Sequence, residues 1–513
     1  MQNDLNLPNN VEQLKSLIVQ LSQQLQEKEQ KINSLQYQLS SALQFRFGKK
    51  SEKLLDEQLG LFDEAVLTDE EKAVACAADE EITVASFIRK KGGRRPLPAD
   101  LPRQQVIHDL PETEKNCACG HALHKIGEDK SEQFEFVPAQ IKVLEHVRYK
   151  YGCRHCETGV KVAPLPARPI PKSIATPGLL SHVLVSKFCD HIPLYRQEHI
   201  LQRYQIDIAR STLCHWVLSC GELFQPLIEL IKQALRMRSY LCVDETPVQV
   251  LEAANKTASS KSYIWVYLTG LPDNRLILYN YQPTRSSQAV NTFLADFKGH
   301  LQTDGYAGYH ELQGKKDILA LGCWAHVRRK FMDIVKIHKT EGKAWEAIKV
   351  IKQLYGIEKI AREKQWSFNE IKQIRQEQAK PLIESFKEWL EKTLLGAPPQ
   401  SALAKAIQYT LNQWHTLQTY LTSGELMIDN NAVENAIRPF ALGRRNWLFM
   451  GNERGAAAAA NIYSLIMTAK VNQLDPYRYL RYLLEQLPLC KTDEQRKLLL
   501  PQYCKATLQA ELI

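Results

Sequence analysis

Tyr240-Leu-Cys-Val-Asp244-Glu245-Thr246, Tyr263-Ile-Trp-Val-Tyr-Leu268 and Arg275-Leu-Ile-Leu-Tyr-Asn-Tyr281 are three apolar runs separated by polar turns. Their content of Val, Ile, Leu and Tyr, and their short length between turn residues, predict consecutive β-strands. Downstream, Ser287 to Phe297 has helical periodicity, and His300-Leu-Gln-Thr-Asp304-Gly305 and Asp317-Ile-Leu-Ala-Leu-Gly-Cys323 read as two further strands. Residues 340 to 425 are rich in Lys, Glu and Gln and read as helical, and another helix begins near Asp429. The order predicts an α/β core over 239–339, a helical insertion over 340–427, the rest of the core over 428–470, and a C-terminal helical tail over 471–513.

Two carboxylates fall at the ends of these strands, Asp244 in Val243-Asp244-Glu245-Thr246 and Asp304 in Gln302-Thr303-Asp304-Gly305. An acid inside a β core is costly unless it is paired or bound to a metal. The third acid read with them is Glu434 in Asp429-Asn-Asn-Ala-Val-Glu434-Asn-Ala-Ile-Arg438, with Asp429 and Glu425 as competitors. Three carboxylates form a hard-oxygen set suited to Mg²⁺ or Mn²⁺. Two such ions ~4 Å apart serve in-line displacement at phosphorus, one at the attacking and one at the leaving oxygen. Arg438 shares a helical face with Glu434, and with Arg328, Arg444 and Arg445 is a candidate phosphate contact. The order of strands and helices matches a ribonuclease H-like core.

Upstream of the strands the pattern over 161–238 is helical. Tyr204-Gln-Ile-Asp-Ile-Ala-Arg-Ser211-Thr-Leu-Cys-His-Trp-Val217 reads as a turn, a Ser cap and a helix with Arg210, Ser211, Thr212 and His215 near its start. A helix-turn-helix presents its recognition helix in this way. The charge distribution agrees: Phe136 to Arg238 holds 14 basic and 7 acidic residues, whereas Asp56 to Glu81 holds ten acids and one base. A basic middle behind an acidic stretch suggests a polyanionic partner.

Within 113–160, Cys117-Ala-Cys119-Gly-His121 and Cys153-Arg-His-Cys156 flank a segment, Phe134 to Tyr151, that reads as strand-rich. Two close cysteine pairs supply four thiolates to one structural Zn²⁺, with His121 or His155 able to replace one of them. The other cysteines of the twelve mostly sit among apolar residues and read as small buried side chains.

At the N-terminus, over 1–47, Val11, Ile18, Leu25, Ile32 and Leu39 lie seven apart, each followed at the third position by Leu14, Leu21, Lys28, Leu35 or Ala42. That heptad predicts a coiled coil, leaning to a parallel dimer, with Lys28 its polar interruption. Residues 48–112 form an acidic and then basic tether ending in Lys90-Lys91-Gly92-Gly93-Arg94-Arg95-Pro96-Leu97-Pro98, where Arg94 and Arg95 are candidate DNA contacts. The whole chain of 513 residues, 44% hydrophobic and 24% charged with a net charge of +9, is sized for two to four globular domains. No stretch nears the roughly 18–20 uncharged apolar residues of a membrane span, and Met1-Gln2-Asn3-Asp4 lacks a signal peptide's regions, so the expectation is a cytoplasmic protein without a membrane partner.

These blocks in this order resemble the DDE transposases of the insertion-sequence sixty-six family. The resemblance rests on Phe45-Arg-Phe-Gly-Lys-Lys-Ser-Glu-Lys53, the Gly-Arg-Arg-Pro-Leu-Pro tether, the paired cysteines, Val-Asp244-Glu-Thr-Pro-Val, Gln-Thr-Asp304-Gly-Tyr-Ala-Gly-Tyr, Gly-Cys323-Trp-Ala-His326-Val-Arg-Arg-Lys-Phe, and Asp-Asn-Asn-Ala-Val-Glu434-Asn-Ala-Ile-Arg-Pro with the following Gly-Arg-Arg-Asn-Trp-Leu-Phe. It implies cutting and joining of DNA at the terminal inverted repeats of a mobile element. It also implies a helical insertion between the second Asp and the Glu. Partners would be the repeats, target DNA, a second copy or a larger synaptic assembly on the nucleoid, and small accessory proteins of the same element. Cys323 and His326 match a cysteine-x-x-histidine element of several transposases; a second zinc would need further ligands, so packing or shaping of the active site is expected. His121 stands where a small residue is usual, and Ala441 stands where some DDE enzymes carry a Lys. The rival readings are a domesticated, non-cutting DNA-binding regulator and a nuclease on the same fold.

Overall fold

A sheet of six strands organises the larger part of the chain. This computed structural model describes residues 141–152, 160–162 and 164–510, apart from 254–256, 258–259, 272–273 and 339–341, together with positions 15, 16, 19–22, 24, 28 and 31. The last group is helical. Most of the heptad seam, the tether with Arg94 and Arg95, and Cys117, Cys119, His121, Cys153, His155 and Cys156 lie outside the described residues. The chain folds as two compact units, one of Thr68–Ala163 and one of Met1–Leu67 with Pro164–Ile513.

In the smaller unit, β1 (Lys150–Gly152) pairs antiparallel with β2 (Val160–Val162). Residues 141–149 are exposed and irregular, so among the described residues the strand expected over Phe134 to Tyr151 is confined to its end. Cys153 and Cys156 fall in the sequence that joins the two strands.

From Pro164 onward the larger unit opens with four helices, α1 (Pro177–Phe188), α2 (Leu194–Arg203), α3 (Arg210–Leu223) and α4 (Gln225–Arg236). Buried Gln197 fastens α2 to α1 by donating to the carbonyls of Val183 (3.2 Å) and Ile192 (3.1 Å). The expected Ser cap of α3 is corrected by the structure. The helix already starts at Arg210, the cap position is Ala209, and the Arg210 N–H is satisfied by the Glu198 carboxylate of α2 at 2.9 Å. Glu198 thus does from the neighbouring helix what a Ser side chain does locally.

The strands are β3 (Tyr240–Glu252), β4 (Lys261–Thr269), β5 (Ile277–Gln282), β6 (Gly299–Gln302), β7 (Ile318–Leu321) and β8 (Met450–Asn452). Their order is β5-β4-β3-β6-β7, with β8 added to the far end of β3. β3, β4 and β5 form an antiparallel meander, and β6 and β7 run parallel to β3. Helix α5 (Ser287–Phe293) stops short of the expected Phe297, and the short α6 (His310–Gln313) precedes β7. Asp244 is not at a strand end as its sequence suggested. The ladder with β4 continues past it, from Asp244–Val266 to Gln249–Lys261. On the opposite side β6 pairs only Tyr240 to Cys242 and β8 only Val250 and Glu252, so among the described residues the edge between them has no strand partner. That open edge tolerates Pro247, which has no N–H to give to a ladder.

Helix α7 (Trp324–His338) follows β7, and the insertion then runs through α8 (Lys343–Glu363), α9 (Phe368–Ile374), a π-turn (Arg375–Ala379), α10 (Lys380–Gly396), α11 (Ala402–Asn412) and α12 (Trp414–Gln418). Trp324 ties it to the core, its ring 6.2 Å from Trp414 and 6.3 Å from Phe386, and its indole N–H donating to Leu417 O at 3.0 Å. The insertion is anchored by Arg375, 2% exposed, whose guanidinium makes a two-point pair with Glu358 and donates to the carbonyls of Tyr420, Ser423 and Leu426.

After the insertion come α13 (Asn431–Trp447), α14 (Glu453–Val471), α15 (Pro476–Gln486), α16 (Asp493–Lys497) and α17 (Pro501–Ala510). Alanine-rich α14 lies against α3 so closely that a Cβ on Gly221 would stand 2.5 Å from the Ala458 Cβ. Along α14, Ser464, Thr468 and Asn472 recur one turn apart and meet the outer edge of β5: the N–H groups of Ile277 and Tyr279 donate to Thr468 Oγ1 (3.0 Å) and Ser464 Oγ (2.8 Å), and Asn472 Nδ2 donates to Arg275 O (2.8 Å). Exposed edge groups of a sheet invite pairing with other chains, and here a helix face occupies them. Residues beyond 471 are part of the core rather than a tail, since Tyr479, Leu480, Leu483 and Leu484 are all fully buried.

Candidate active site

The open edge of β3 is where α13 arrives. Asn430, buried just before the helix, donates to Val243 O at 3.1 Å, and Arg444 donates to Pro247 O and to Thr246 Oγ1 at 3.4 Å. Both side chains occupy edge carbonyls or hydroxyls that no strand reaches. Arg444, read from sequence as a phosphate contact, therefore turns one nitrogen inward to the sheet. The approach is fixed further by Gln302, fully buried on β6, which accepts from the Tyr240 hydroxyl and donates to Gly322 O (3.3 Å) and Met427 O (3.0 Å). The same Tyr240 hydroxyl accepts from Met427 N at 3.1 Å, and Trp324 N donates to Ile428 O at 3.2 Å.

This scaffold brings Asp244, Asp304 and Glu434 together. Burial is the first cause pushing the Asp244 carboxyl well above its ordinary range; the charge of Asp304 comes second, then Glu245 and Glu434. Among the described residues, the Asp244 carboxylate accepts from the N–H of Glu245 alone, at 2.8 Å. Asp304 sits beyond β6 in a turn closed by Tyr306 N donating to its Oδ1 at 2.8 Å. The following Gly305 has φ +83°, a conformation suited to a residue without a Cβ. Glu434 lies in the first turn of α13, where the positive end of the helix favours an acid. Among the described residues no Lys or Arg pairs with Asp244 or Asp304, while Arg329 reaches Glu434 Oε2 at 3.4 Å.

The neighbouring acids are held differently. Glu245, its side chain 1% exposed, pairs with Arg285 and accepts from the Tyr309 hydroxyl at 2.7 Å. Arg285 in turn lies 3.7 Å from the centre of the Tyr306 ring. Asp429 accepts from the Tyr355 hydroxyl (2.7 Å) and from both the backbone N–H (3.1 Å) and side chain (2.9 Å) of Asn431. Both carboxylates are engaged by named partners, although burial still pushes the Glu245 carboxyl up against the pull of Tyr309 and Arg285. Asp244, Asp304 and Glu434 keep oxygen atoms in reserve, and Glu434 Oε1 is buried with no hydrogen-bond partner. A set of closely placed, under-satisfied carboxylates fits a hard divalent cation.

Cys323 and His326 border this group from the start of α7. Cys323, His326 and Glu434 offer ligand atoms within 4.8 Å of one another, the proximity that sequence spacing could not reveal. Burial holds the His326 imidazole below its ordinary range, against the opposing pull of Glu434. Arg329, overlooked in the sequence in favour of Arg328, bridges His326 Nε2 (3.3 Å) and Glu434 (3.4 Å). Arg328 itself is stacked 5.2 Å over the Tyr355 ring. Arg438 and Arg445 are exposed on α13, with Arg438 donating to Asn435 Oδ1 at 3.5 Å. On α3, Arg210, Ser211 and His215 are exposed and Thr212 is partly buried.

With this geometry in hand, comparison with known proteins is decisive. The family described as "Transposase IS66 family" matches residues 172–458, more than half the chain. The chain belongs to the IS66 transposase family. Its zinc-finger binding domain matches residues 114–157, which supports a structural zinc, and its C-terminal element matches residues 464–502. A further family segment, described as "Transposase C of IS166 homeodomain", matches residues 34–106, and so spans the tether and only the last part of the heptad region. Similar proteins from Sinorhizobium fredii (strain NBRC 101917 / NGR234) are the uncharacterized proteins y4jD, 36% identical over 80% of this chain and 82% of that one, and y4hP, 33% identical over 86% and 83%. No solved structure matches the chain significantly. No helix among the described residues is long and apolar enough to cross a membrane.

Proposed function

We propose that this IS66-family chain is a DDE-type transposase that binds the terminal inverted repeats of its element and catalyses strand cleavage and strand transfer. The observation that carries the reading is the meeting of Asp244, Asp304 and Glu434 on an open sheet edge, with Asp244 destabilised as an anion by burial and by the other acids. The strand order, an antiparallel meander followed by two parallel strands, supports a ribonuclease H-like core. Asp244, Asp304 and Glu434 would hold Mg²⁺ or Mn²⁺, which when bound activates the attacking oxygen and neutralises charge at the leaving oxygen.

The protein's own groups then have distinct tasks. Asn430 and Gln302 fix the backbone on which Glu434 and Asp304 stand. Arg329, exposed beside Glu434, and Arg438 and Arg445 on α13 would receive phosphates of the DNA strand. Arg210, Ser211, Thr212 and His215 would read or hold the repeats, with Arg94, Arg95 and the zinc-binding module contributing further contacts. The N-terminal heptads would pair two copies for synapsis in the cytoplasm, on nucleoid DNA, with small accessory proteins of the element as further partners.

The test is cleavage of DNA carrying the element's ends in Mg²⁺ by the parent protein and by Asp244→Asn. Loss of cleavage with retained end binding supports the reading. Equal cleavage by both proteins removes it, and end binding by a parent that never cuts would instead favour the regulator.

A further inference from the structure

Cys323 and His326, which the cutting chemistry leaves unexplained, form a second cluster with Glu434. Their ligand atoms lie within 4.8 Å of one another, His326 Nδ1 and Glu434 Oε1 being 3.7 Å apart. Both of those atoms are buried without a hydrogen-bond partner. Cys323 Sγ is fixed at the head of α7, where it accepts from Asn430 N at 3.2 Å. The guanidinium of Arg329 touches both His326 and Glu434, and its side chain is 43% exposed. It holds the far atoms of the two groups, His326 Nε2 and Glu434 Oε2, and leaves Nδ1 and Oε1 unengaged beside the sulfur.

We propose that Cys323, His326 and Glu434 bind one Zn²⁺ ion, distinct from the zinc of the paired-cysteine module. One sulfur, one imidazole nitrogen and one carboxylate oxygen are a zinc donor set, and three protein ligands leave the fourth tetrahedral position open. Mg²⁺ prefers oxygen ligands and would not select the thiolate and imidazole. Coordination releases the Cys323 thiol proton to solvent and forms the S–Zn bond, with no change of oxidation state. Ligation through His326 Nδ1 puts the imidazole proton on Nε2, so Arg329 gives up its contact there, while its pair with Glu434 is partly exposed and of low worth. If the acid cluster cuts DNA as proposed above, the ion takes Glu434 away from Asp244 and Asp304, so zinc would hold the enzyme in an idle state. The metal site stands on its geometry alone, and only this consequence rests on the catalytic reading.

The full chain, equilibrated with zinc and freed of excess by gel filtration, should carry one more ion than Cys323→Ser or His326→Ala. The Cys153→Ser/Cys156→Ser protein should lose a different ion, and combining the sets should remove both. Cobalt substitution should show a thiolate-to-metal charge-transfer band that persists without the paired cysteines and vanishes with Cys323→Ser. Zinc contents equal to the parent's in both Cys323→Ser and His326→Ala would overturn the proposal. His326→Ala, at a partly exposed position, guards against a Cys323 variant that merely misfolds, and thermal melts check both. Zinc should lower Mg²⁺-dependent cleavage more than about tenfold in the parent, and a parent that binds the second ion yet never cuts would sink the catalytic reading alone.

Discussion

Asp244, Asp304 and Glu434 on one side, and Arg375 with Glu358 on the other, are two charged clusters within one fold, and they meet their charge in opposite ways. Arg375 is 2% exposed, with Nε on Glu358, Nη1 on the carbonyls of Tyr420 and Ser423, and Nη2 on Glu358 and Leu426 O. Nothing is left for a ligand to satisfy. The three acids receive one backbone N–H apiece or an exposed Arg, and repel each other. The difference separates charge used to hold a fold from charge kept for something that binds.

The sharpest way to break this contrast is to neutralise each cluster. Asp244→Asn, Asp304→Asn and Glu434→Gln should each lower end cleavage by ~10³-fold or more, with end binding kept within a few-fold. Their thermal midpoints should not fall, and that of Asp244→Asn should rise, because a repelled anion is removed. Arg375→Ala should behave in reverse, costing about 3–5 kcal/mol of stability in a denaturant titration, since it strands Glu358 and three carbonyls. Arg375→Lys should recover little of this, because an ammonium cannot make the two-point pair. A melt in which Asp244→Asn loses as much as Arg375→Ala would erase the distinction.

A smaller effect is expected at Asp429. An amide oxygen at the Oδ2 position still accepts from Tyr355 and the Asn431 side chain and only the Asn431 N–H loses its acceptor, so Asp429→Asn should reduce cleavage by less than about tenfold. Cleavage assays that find Asp429→Asn dead and Glu434→Gln active would exchange the two residues' roles.

Lys187 supplies the mildest test, as a charge that is buried but not engaged by a carboxylate. Burial on α1 lowers its ammonium from 10.5 to about 8. Between those values the unfolded chain holds the proton more tightly than the folded one, so stability should climb as pH rises from about 8 towards 10.5. Melting curves of Lys187→Met should lack that climb and sit higher than the parent near neutral pH.

Much of this arrangement is legible in the residues. The three strands around Tyr240, Tyr263 and Arg275 announce themselves by composition, and Asp244 and Asp304 stand out as acids in apolar runs. What escapes is whatever depends on a contact distant in sequence. Asp244 looks like the end of a strand because Asp-Glu-Thr-Pro breaks the apolar run, yet pairing with Val266 through Lys261 carries the strand onward. Arg328 and Arg329 are indistinguishable neighbours until α7 is rotated against Tyr355 and Glu434. Cys323 and His326 seem to want further ligands because Glu434 is more than a hundred residues away along the chain. Ser211 looks like a cap because Glu198 cannot be seen to do the work.

The insertion's return path has a consequence for how the protein is made. Translation delivers the helices of 164–238 first, then Asp244 and Asp304, and only after the whole insertion the helix bearing Glu434. That helix is seated by Asn430, Met427 and Leu426, the last of which is held by Arg375 from within the insertion. A chain that stops early, or whose insertion has not closed, carries two of the three acids and none of the clasp for the third. A nascent chain therefore holds an unfinished acid cluster until its insertion has folded.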